Sequence, residues 1–200
     1  IVLSPTRELG LQIADDIKKY SKNIPGFKVV AVYGGADITS QIRNIERGCD
    51  VVVGTPVRTL DLIKRNRLNL EGVEFLVLDE ADEMLSALKS EVDTIIKAIP
   101  KTRRTLLFTA TMPGTVKQLI QNYMSKDLVT IEVDTTTLGH QGIDHHYVVV
   151  EPIEKLDVLL HFLNSKGGER GIIFCKTKAA VNKLAKNLAI NKFSSGAIHG

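Results

Sequence analysis

The chain has 200 residues, of which 44% are apolar and 24% charged, and its net charge is +3. These values are ordinary for a globular protein, and the charge is too small to identify a nucleic-acid-binding protein by itself. Two cysteines are too few for a disulfide framework, and no apolar run approaches the length of a membrane span. We therefore expect a cytoplasmic protein without a membrane segment.

Short apolar runs alternate with segments of helical periodicity through the first two thirds of the chain. The runs predict strands over residues 1–3, 29–32, 51–53, 75–78 and 105–108, and an alternating pattern predicts an edge strand over 129–133. Helical periodicity predicts helices between these strands, including one long helix that carries apolar residues from Leu85 to Ile99. Thr6 and Thr55 each stand at a predicted helix start as the N-cap residue.

A segment rich in Thr and Gly, without periodicity, follows this first set of elements and predicts a linker over residues 135–142. Strands are then predicted over 145–150, 171–174 and 197–198, with helices around 156–163 and 181–188. Alternation of strand and helix on both sides of the linker predicts the α/β fold class. We expect two domains with mostly parallel sheets flanked by helices, over residues 1–134 and 143–200.

Three carboxylates directly follow the buried strand predicted over residues 75–78, in the turn Asp79-Glu80-Ala81-Asp82. Ligands of open parallel sheets bind outside the carboxyl ends of the strands, where this turn would lie. Acidic clusters are also common in surface loops, so the turn alone does not identify a site.

Polar or Gly-rich turns follow the other strands of the first domain and would share the same sheet edge. Thr6 with Arg7, and Thr55 with Arg58, place a hydroxyl and a guanidinium at a helix start, where free N–H groups favour phosphate. Such pairs suit a sugar-phosphate backbone that is contacted without base readout. Gly34-Gly35 would allow close approach to the backbone. Each turn alone fits a capped helix or a tight turn, but their coincidence on one edge favours a nucleic-acid site.

These segments resemble the motifs of DEAD-box RNA helicases, which are members of helicase superfamily 2. The matching segments are Pro5-Thr6-Arg7-Glu8-Leu9, Gly34-Gly35, Thr55-Pro56-Val57-Arg58, Asp79-Glu80-Ala81-Asp82, Thr109-Ala110-Thr111, Ile172-Ile173-Phe174-Cys175-Lys176-Thr177 and the terminal His199-Gly200. Their order and spacing agree along nearly the whole chain. Gly10, Val57 and Thr109 stand where the family usually has Ala, Gly and Ser, and these departures remove no charged or hydroxyl group.

The resemblance implies two RecA-like domains, the cofactors ATP and Mg²⁺, and ATP hydrolysis. By resemblance, Asp79 would hold Mg²⁺ through water and Glu80 would orient and deprotonate the attacking water. Asp82 would be tied to Thr109 and Thr111 and would couple the nucleotide site to closure of the second domain onto the first.

The resemblance also implies backbone contacts with single-stranded and duplex RNA. The implied nucleic-acid-binding residues are Thr6, Arg7, Gly35, Thr55, Arg58, Lys176, Thr177 and Gly200. Domain closure would bend one strand so that it no longer fits a duplex, which separates the strands locally or remodels RNA–protein complexes. The preference for RNA over DNA rests on the family, since a 2′-hydroxyl contact would be the discriminating feature.

In the family, a Gly-rich phosphate loop would precede Ile1 and an arginine-rich motif would follow Gly200. The resemblance therefore predicts an internal fragment, with both domains truncated, that hydrolyses no ATP by itself. Two other functions stay open. The chain could belong to a non-enzymatic RNA-binding clamp or scaffold with vestigial acids, or to a DNA-acting relative in superfamily 2.

Overall fold

The computed structural model describes residues 1–125, 127–133 and 144–199, and the predicted linker over 135–142 lies outside these ranges. The chain divides into two compact units, with the division between Ile131 and Glu132. The described residues form five strands and eight helices. None of these helices has the length and hydropathy that crossing a bilayer requires.

Strands and helices alternate through the first unit. Its strands are β1 (Val2–Leu3), β2 (Val29–Val32), β3 (Val51–Gly54), β4 (Phe75–Leu78) and β5 (Arg104–Leu107). Its helices are α1 (Arg7–Tyr20), α2 (Ile38–Glu46), α3 (Pro56–Lys64), α4 (Ala81–Ala87), α5 (Lys89–Ala98) and α6 (Gly114–Tyr123). These five strands lie within one residue of their predicted bounds.

The five strands form one parallel sheet in the order β2-β3-β1-β4-β5. Their last residues are in register, because Leu3 lies opposite both Gly54 and Leu78, and Leu78 lies opposite Leu107. All five carboxyl ends therefore lie along a single edge. The parallel sheet with flanking helices confirms the predicted α/β fold class.

Apolar clusters cover both faces of the central part of the sheet, and successive side chains of a strand point to opposite sides and so enter different clusters. Leu3, Leu76 and Leu78 are completely buried in the larger of two apolar clusters, which also includes residues of α3, α4, α5 and α6. Val2 and Val53 pack in the smaller cluster with Ala14 of α1. Continuous apolar strands with helices on either face are typical of parallel sheets and hold the sheet edge in a fixed geometry.

Two predictions about residues 1–133 are wrong. The long helix predicted from Leu85 to Ile99 is instead α4 and α5, because Leu88 has φ −130° and ψ 29°, which lies outside the helical region. Apolar periodicity does not detect this break, since apolar residues of both helices are buried in the same cluster. The edge strand predicted over 129–133 does not form, and Val129 and Ile131 are exposed instead.

The second unit contains α7 (Lys155–Ser165) and α8 (Lys178–Ile190), where helices were predicted. The strands predicted over 145–150, 171–174 and 197–198 are wrong, because no ladder forms within residues 144–199. A strand needs a neighbouring strand to pair its backbone N–H and C=O groups. An apolar run gives only a propensity for extended structure and does not supply that neighbour. Tyr147 and Phe174 are accordingly 93% and 92% exposed.

Candidate active site and nucleic-acid interface

The acidic turn joins β4 to α4 and is fixed by both neighbouring strands. The backbone N–H of Asp79 donates to the carbonyl oxygen of Leu3 at 3.0 Å, which extends the pairing of β4 with β1 by one residue. On the other side, the N–H of Ala81 donates to the carbonyl oxygen of Phe108 at 3.0 Å. The turn is therefore held at both ends while its carboxylates project from the sheet edge.

Glu80 has a left-handed backbone conformation, with φ 49° and ψ 52°. This conformation costs a residue with a side chain about 1–2 kcal/mol. It brings the N–H of Glu80 to 3.1 Å from Oδ1 of Asp79, which accepts a hydrogen bond. Residues held in such conformations by their surroundings cluster at functional sites, so the strain supports the assignment of this turn as a site.

The carboxylates of Asp79 and Glu80 fit a hard divalent cation. Asp79 is half-buried, Glu80 is exposed, and within the described ranges no Lys, Arg or His side chain forms an ion pair with either. In the same ranges no group of three or more His, Cys, Asp or Glu side chains could enclose a metal. Magnesium in phosphoryl-transfer sites needs only one or two protein carboxylates, because phosphates and water supply the other ligands. The side chains present match that requirement.

Asp82 is bonded to the turn that follows β5. Its Oδ2 accepts hydrogen bonds from the hydroxyl of Thr111 at 2.5 Å and from the N–H of Thr111 at 2.9 Å. The hydroxyl of Thr109 donates to the carbonyl oxygen of Thr111 at 2.7 Å, which closes the turn on itself. The contact predicted between Asp82 and this turn is therefore present, whereas the coupling role given to it stays a prediction.

Hydrogen bonds from the Thr111 side chain, and secondarily from its backbone, lower the pKa of Asp82 below its usual value. We expect Thr111→Val to raise this pKa, because the variant loses the hydroxyl donor and keeps the backbone N–H. Carboxylate NMR titration of the 200-residue chain would measure the change. A depressed folded-state pKa stabilises the protein above the unfolded value of about 3.9 and loses that stabilisation as pH falls through the folded value. The variant should therefore lose less stability on acidification.

Thr102→Val is the matched control for that titration, because Thr102 is exposed and lies in the turn that precedes β5, at the opposite end of the strand from Thr111. It should leave the pKa of Asp82 unchanged. An unchanged pKa in Thr111→Val would show that the Thr111 hydroxyl does not set the ionisation of Asp82.

Three of the candidate nucleic-acid residues lie together beyond β1 and β2. The Thr6 hydroxyl accepts a hydrogen bond from the N–H of Leu9 at 3.3 Å and caps α1, as predicted. The guanidinium of Arg7 lies over the ring of Tyr33, 5.0 Å from its centroid. Gly35 has φ +78°, and a Cβ built there would lie 3.8 Å from Nη1 of Arg7. An exposed hydroxyl, a guanidinium and a close-approach turn thus share one small surface.

The turn after β3 differs from its prediction in two respects, which are the capping bond of Thr55 and the direction of Arg58. Thr55 is the N-cap of α3 and Pro56 its first residue, but the Thr55 hydroxyl makes no capping hydrogen bond. Val57 occupies a regular helical position with its side chain 56% exposed, so the family's usual glycine is not needed for backbone geometry there. Arg58 turns inward, and its Nη1 donates to the carbonyl oxygen of Ala36 at 3.2 Å and to Oε1 of Gln41 at 3.1 Å.

The sheet order separates the candidate residues into two groups along the edge. The nucleic-acid candidates of this unit follow β1, β2 and β3, which are adjacent in the sheet, and the acids and threonines follow β4 and β5. Neighbouring strands lie about 4.8 Å apart, so the two groups meet at the boundary between β1 and β4. The half of the edge after β1, β2 and β3 can therefore bind a polyanion, and the half after β4 and β5 presents the carboxylates for catalysis.

The remaining predicted residues belong to the second unit. Lys176 and Thr177 are exposed, and the Thr177 hydroxyl accepts from the N–H of Ala180 at 3.1 Å to cap α8. Gly200 lies outside the described residues. Thr177 therefore presents a capped helix start of the same kind as Thr6, with a cationic residue beside it.

Two residues of the first unit were missed by the sequence analysis. Gln41 of α2 is only 6% exposed and bonds to the inward-facing Arg58 and to the backbone of Tyr33. Its signal in the sequence was a polar residue in the apolar stripe of Ile38, Ile42 and Ile45. The signal for Tyr33 was an aromatic residue directly before the glycine pair.

Comparison with known proteins agrees with this geometry. A family model described as DEAD/DEAH box helicase matches residues 1–119. The ATP-dependent RNA helicase CshA of Listeria monocytogenes is 40% identical over 204 residues, and the DEAD-box ATP-dependent RNA helicase CshA of Streptococcus pneumoniae (strain TIGR4) is 38% identical over 201 residues. Each alignment covers 100% of this chain and 38% of the relative, so the chain spans well under half the length of these proteins.

A solved structure gives the same result for the fold. The crystal structure of a DEAD box protein from the hyperthermophile Methanococcus jannaschii superposes with a TM-score of 0.64 at 40% identity, covering 100% of this chain and 53% of that one. The matched family model covers more than half of the chain and includes Asp79, Glu80, Asp82, Thr109 and Thr111. The chain belongs to the DEAD/DEAH box helicase family.

Proposed function

We propose that the whole protein is an ATP-dependent RNA helicase, which couples ATP hydrolysis to RNA binding and to local unwinding of duplexes or remodelling of RNA–protein complexes. The observation that carries this proposal is the sheet edge, where a strained carboxylate turn lies beside a group of helix starts suited to phosphate. Relatives named as ATP-dependent RNA helicases support it.

The acidic half would form part of the nucleotide site. ATP with Mg²⁺, when bound, supplies the phosphoryl group that is transferred to water. Asp79 would hold the cation through water, and a carboxylate oxygen of Glu80 would orient the attacking water and accept its proton. Asp82, already bonded to Thr111, would transmit the state of the acidic turn to the turn after β5.

The other half would bind the backbone of one RNA strand. Arg7 offers a cation, and the exposed Gly35 lets a phosphate backbone approach the protein main chain closely. Thr6 and Thr55 offer hydroxyls at helix starts. The second domain would add contacts through Lys176, Thr177 and Gly200. We propose the domain bounds 1–134 and 143–200, with residues 135–142 as the hinge through which closure bends the bound strand.

The test is ATP hydrolysis by the whole protein with a single-stranded oligouridylate RNA, with the matching DNA, and with neither. We expect stimulation by RNA above that by DNA, and RNA affinity that falls as salt rises, because phosphate contacts release counterions. RNA binding without any ATP turnover would instead favour a non-enzymatic clamp. Greater stimulation by the DNA strand would favour a DNA-acting relative.

A further inference from the structure

Gln41 connects the two nucleic-acid turns of the first unit. Its side-chain amide lies beside the backbone of Tyr33, where Oε1 accepts from the N–H of Tyr33 at 3.3 Å and Nε2 donates to the carbonyl oxygen of Tyr33 at 3.1 Å. The same Oε1 accepts from Nη1 of Arg58 at 3.1 Å. The amide thus acts as a substitute strand partner for the first residue after β2.

The partners of this amide fix its orientation. A backbone N–H and a guanidinium both need an acceptor, and a carbonyl needs a donor, so only one placement of the amide oxygen and nitrogen satisfies all three. Gln41 is 6% exposed, and a buried amide of this kind costs free energy unless its hydrogen bonds are made. Replacing Gln41 by an apolar residue would therefore remove one hydrogen-bond partner from all three groups.

Arg58 completes a second connection to the same turn. Its Nη1 donates to the carbonyl oxygen of Ala36 at 3.2 Å as well as to Gln41. The turn from Tyr33 to Ala36 is therefore held at its first residue by Gln41 and at its last by Arg58. Gly34 and Gly35 lie between these points, and both are exposed.

The ring of Tyr33 extends the network to the other helix start. With its backbone held by Gln41, Tyr33 supports the guanidinium of Arg7 through a cation–π contact, with the guanidinium carbon 5.0 Å from the ring centroid. Arg7 is exposed and makes no ion pair within the described ranges, so its donors are available to a phosphate.

We propose that Gln41 is a positioning residue for RNA binding. It holds the glycine turn and, through the Tyr33 ring, the guanidinium of Arg7 in the arrangement that a phosphate backbone requires. Arg58 acts in this arrangement as an internal brace for the turn. The proposal rests on the proposed function, and it separates Arg7, a residue that touches RNA, from the residues that place it.

The experiment measures binding of a fluorescein-labelled oligouridylate RNA, together with RNA-stimulated ATPase kinetics, in the whole protein. We expect Gln41→Leu to weaken RNA binding about tenfold and to raise the RNA concentration for half-maximal stimulation, with kcat at saturating RNA within about twofold. Gln41→Glu keeps the oxygen that accepts from Tyr33 and Arg58 but replaces the donor to the Tyr33 carbonyl by a second acceptor, so it should weaken binding as well. Binding in Gln41→Glu that equals the unmodified protein would overturn the role given to the glycine turn.

Substitutions of the Tyr33 side chain test the link to Arg7 without altering the backbone bonds of Gln41. Tyr33→Phe keeps the ring and should keep RNA affinity. Tyr33→Leu removes the ring and should lower RNA affinity several-fold. Gln41→Leu should also have a smaller effect in an Arg7→Ala background than alone, because part of its effect passes through that guanidinium. Full additivity of the two substitutions would overturn the link from Gln41 to Arg7.

Arg7→Ala alone distinguishes failure of this inference from failure of the proposed function. It should weaken binding and reduce the dependence of affinity on salt by about one phosphate contact. If Arg7→Ala leaves RNA binding unchanged, the proposed RNA site is wrong. If Arg7→Ala weakens binding while folded Gln41→Leu and Tyr33→Leu do not, the site stands and the positioning role of Gln41 is wrong.

Discussion

Replacing Glu80 by Gln is expected to lower RNA-stimulated ATP turnover of the whole protein by about 10²–10⁴-fold while ATP and RNA still bind. The carboxamide has the shape of the carboxylate but cannot accept a proton from the attacking water near neutral pH. Binding should persist because Asp79, the residue assigned to the cation, and the nucleic-acid half of the edge are unchanged. Single-turnover hydrolysis with separately measured nucleotide affinity would separate the two effects.

The structure indicates that this substitution removes the carboxylate without disturbing the fold. Glu80 is exposed, its side chain caps no helix, and the left-handed backbone strain is the same for Glu and Gln. The melting temperature should therefore stay unchanged. Glu83→Gln, an equal change of charge at an exposed position in the first turn of the same helix, is the control and should keep normal turnover. Normal turnover in Glu80→Gln would remove the role of Glu80 as the base.

The sequence predicted well those features that depend on local patterns and on chain order. Apolar runs gave the strands of the first unit, and parallel topology placed all their polar turns on one edge, as the register of Leu3 with Gly54 and Leu78 confirms. The contact of Asp82 with Thr111 joins residues 29 positions apart, and it followed from the family resemblance. Spacing alone does not predict such a contact.

Features that depend on side-chain direction or on a partner were not predictable. Sequence patterns did not show that Arg58 turns inward, since this follows from the burial of Gln41 on the neighbouring helix. The left-handed backbone of Glu80 is imposed by the strands on either side and contradicts the local preference of Glu. The apolar run at 145–150 carries strand propensity, but no paired neighbour forms within residues 144–199.

Gly54→Ala is expected to destabilise the first unit by about 1–3 kcal/mol, because the added methyl group overfills the junction between the sheet and α3. Gly54 is the last residue of β3, between β2 and β1 in the sheet. A Cβ built there would overlap Oγ1 of Thr59, lie 2.8 Å from Cγ2 of Val32 and lie 3.4 Å from the carbonyl oxygen of Val32. Relief requires movement of α3, which carries Thr55 at its start, so RNA affinity should fall as well.

Denaturant unfolding measures the stability change, and Gly72→Ala is the matched control, since its Cβ meets nothing within 4 Å. That control should be neutral or slightly stabilising, because alanine restricts the unfolded chain.

Thr59→Ala provides the decisive comparison. Thr59 is completely buried, and its Oγ1 has no hydrogen-bond partner within the described residues, so removing the hydroxyl sacrifices no such bond. The double variant Gly54→Ala/Thr59→Ala should therefore be more stable than Gly54→Ala alone. If it is not, the overlap with Thr59 is not the cause of the destabilisation, and the contact with Val32 sets the requirement for glycine.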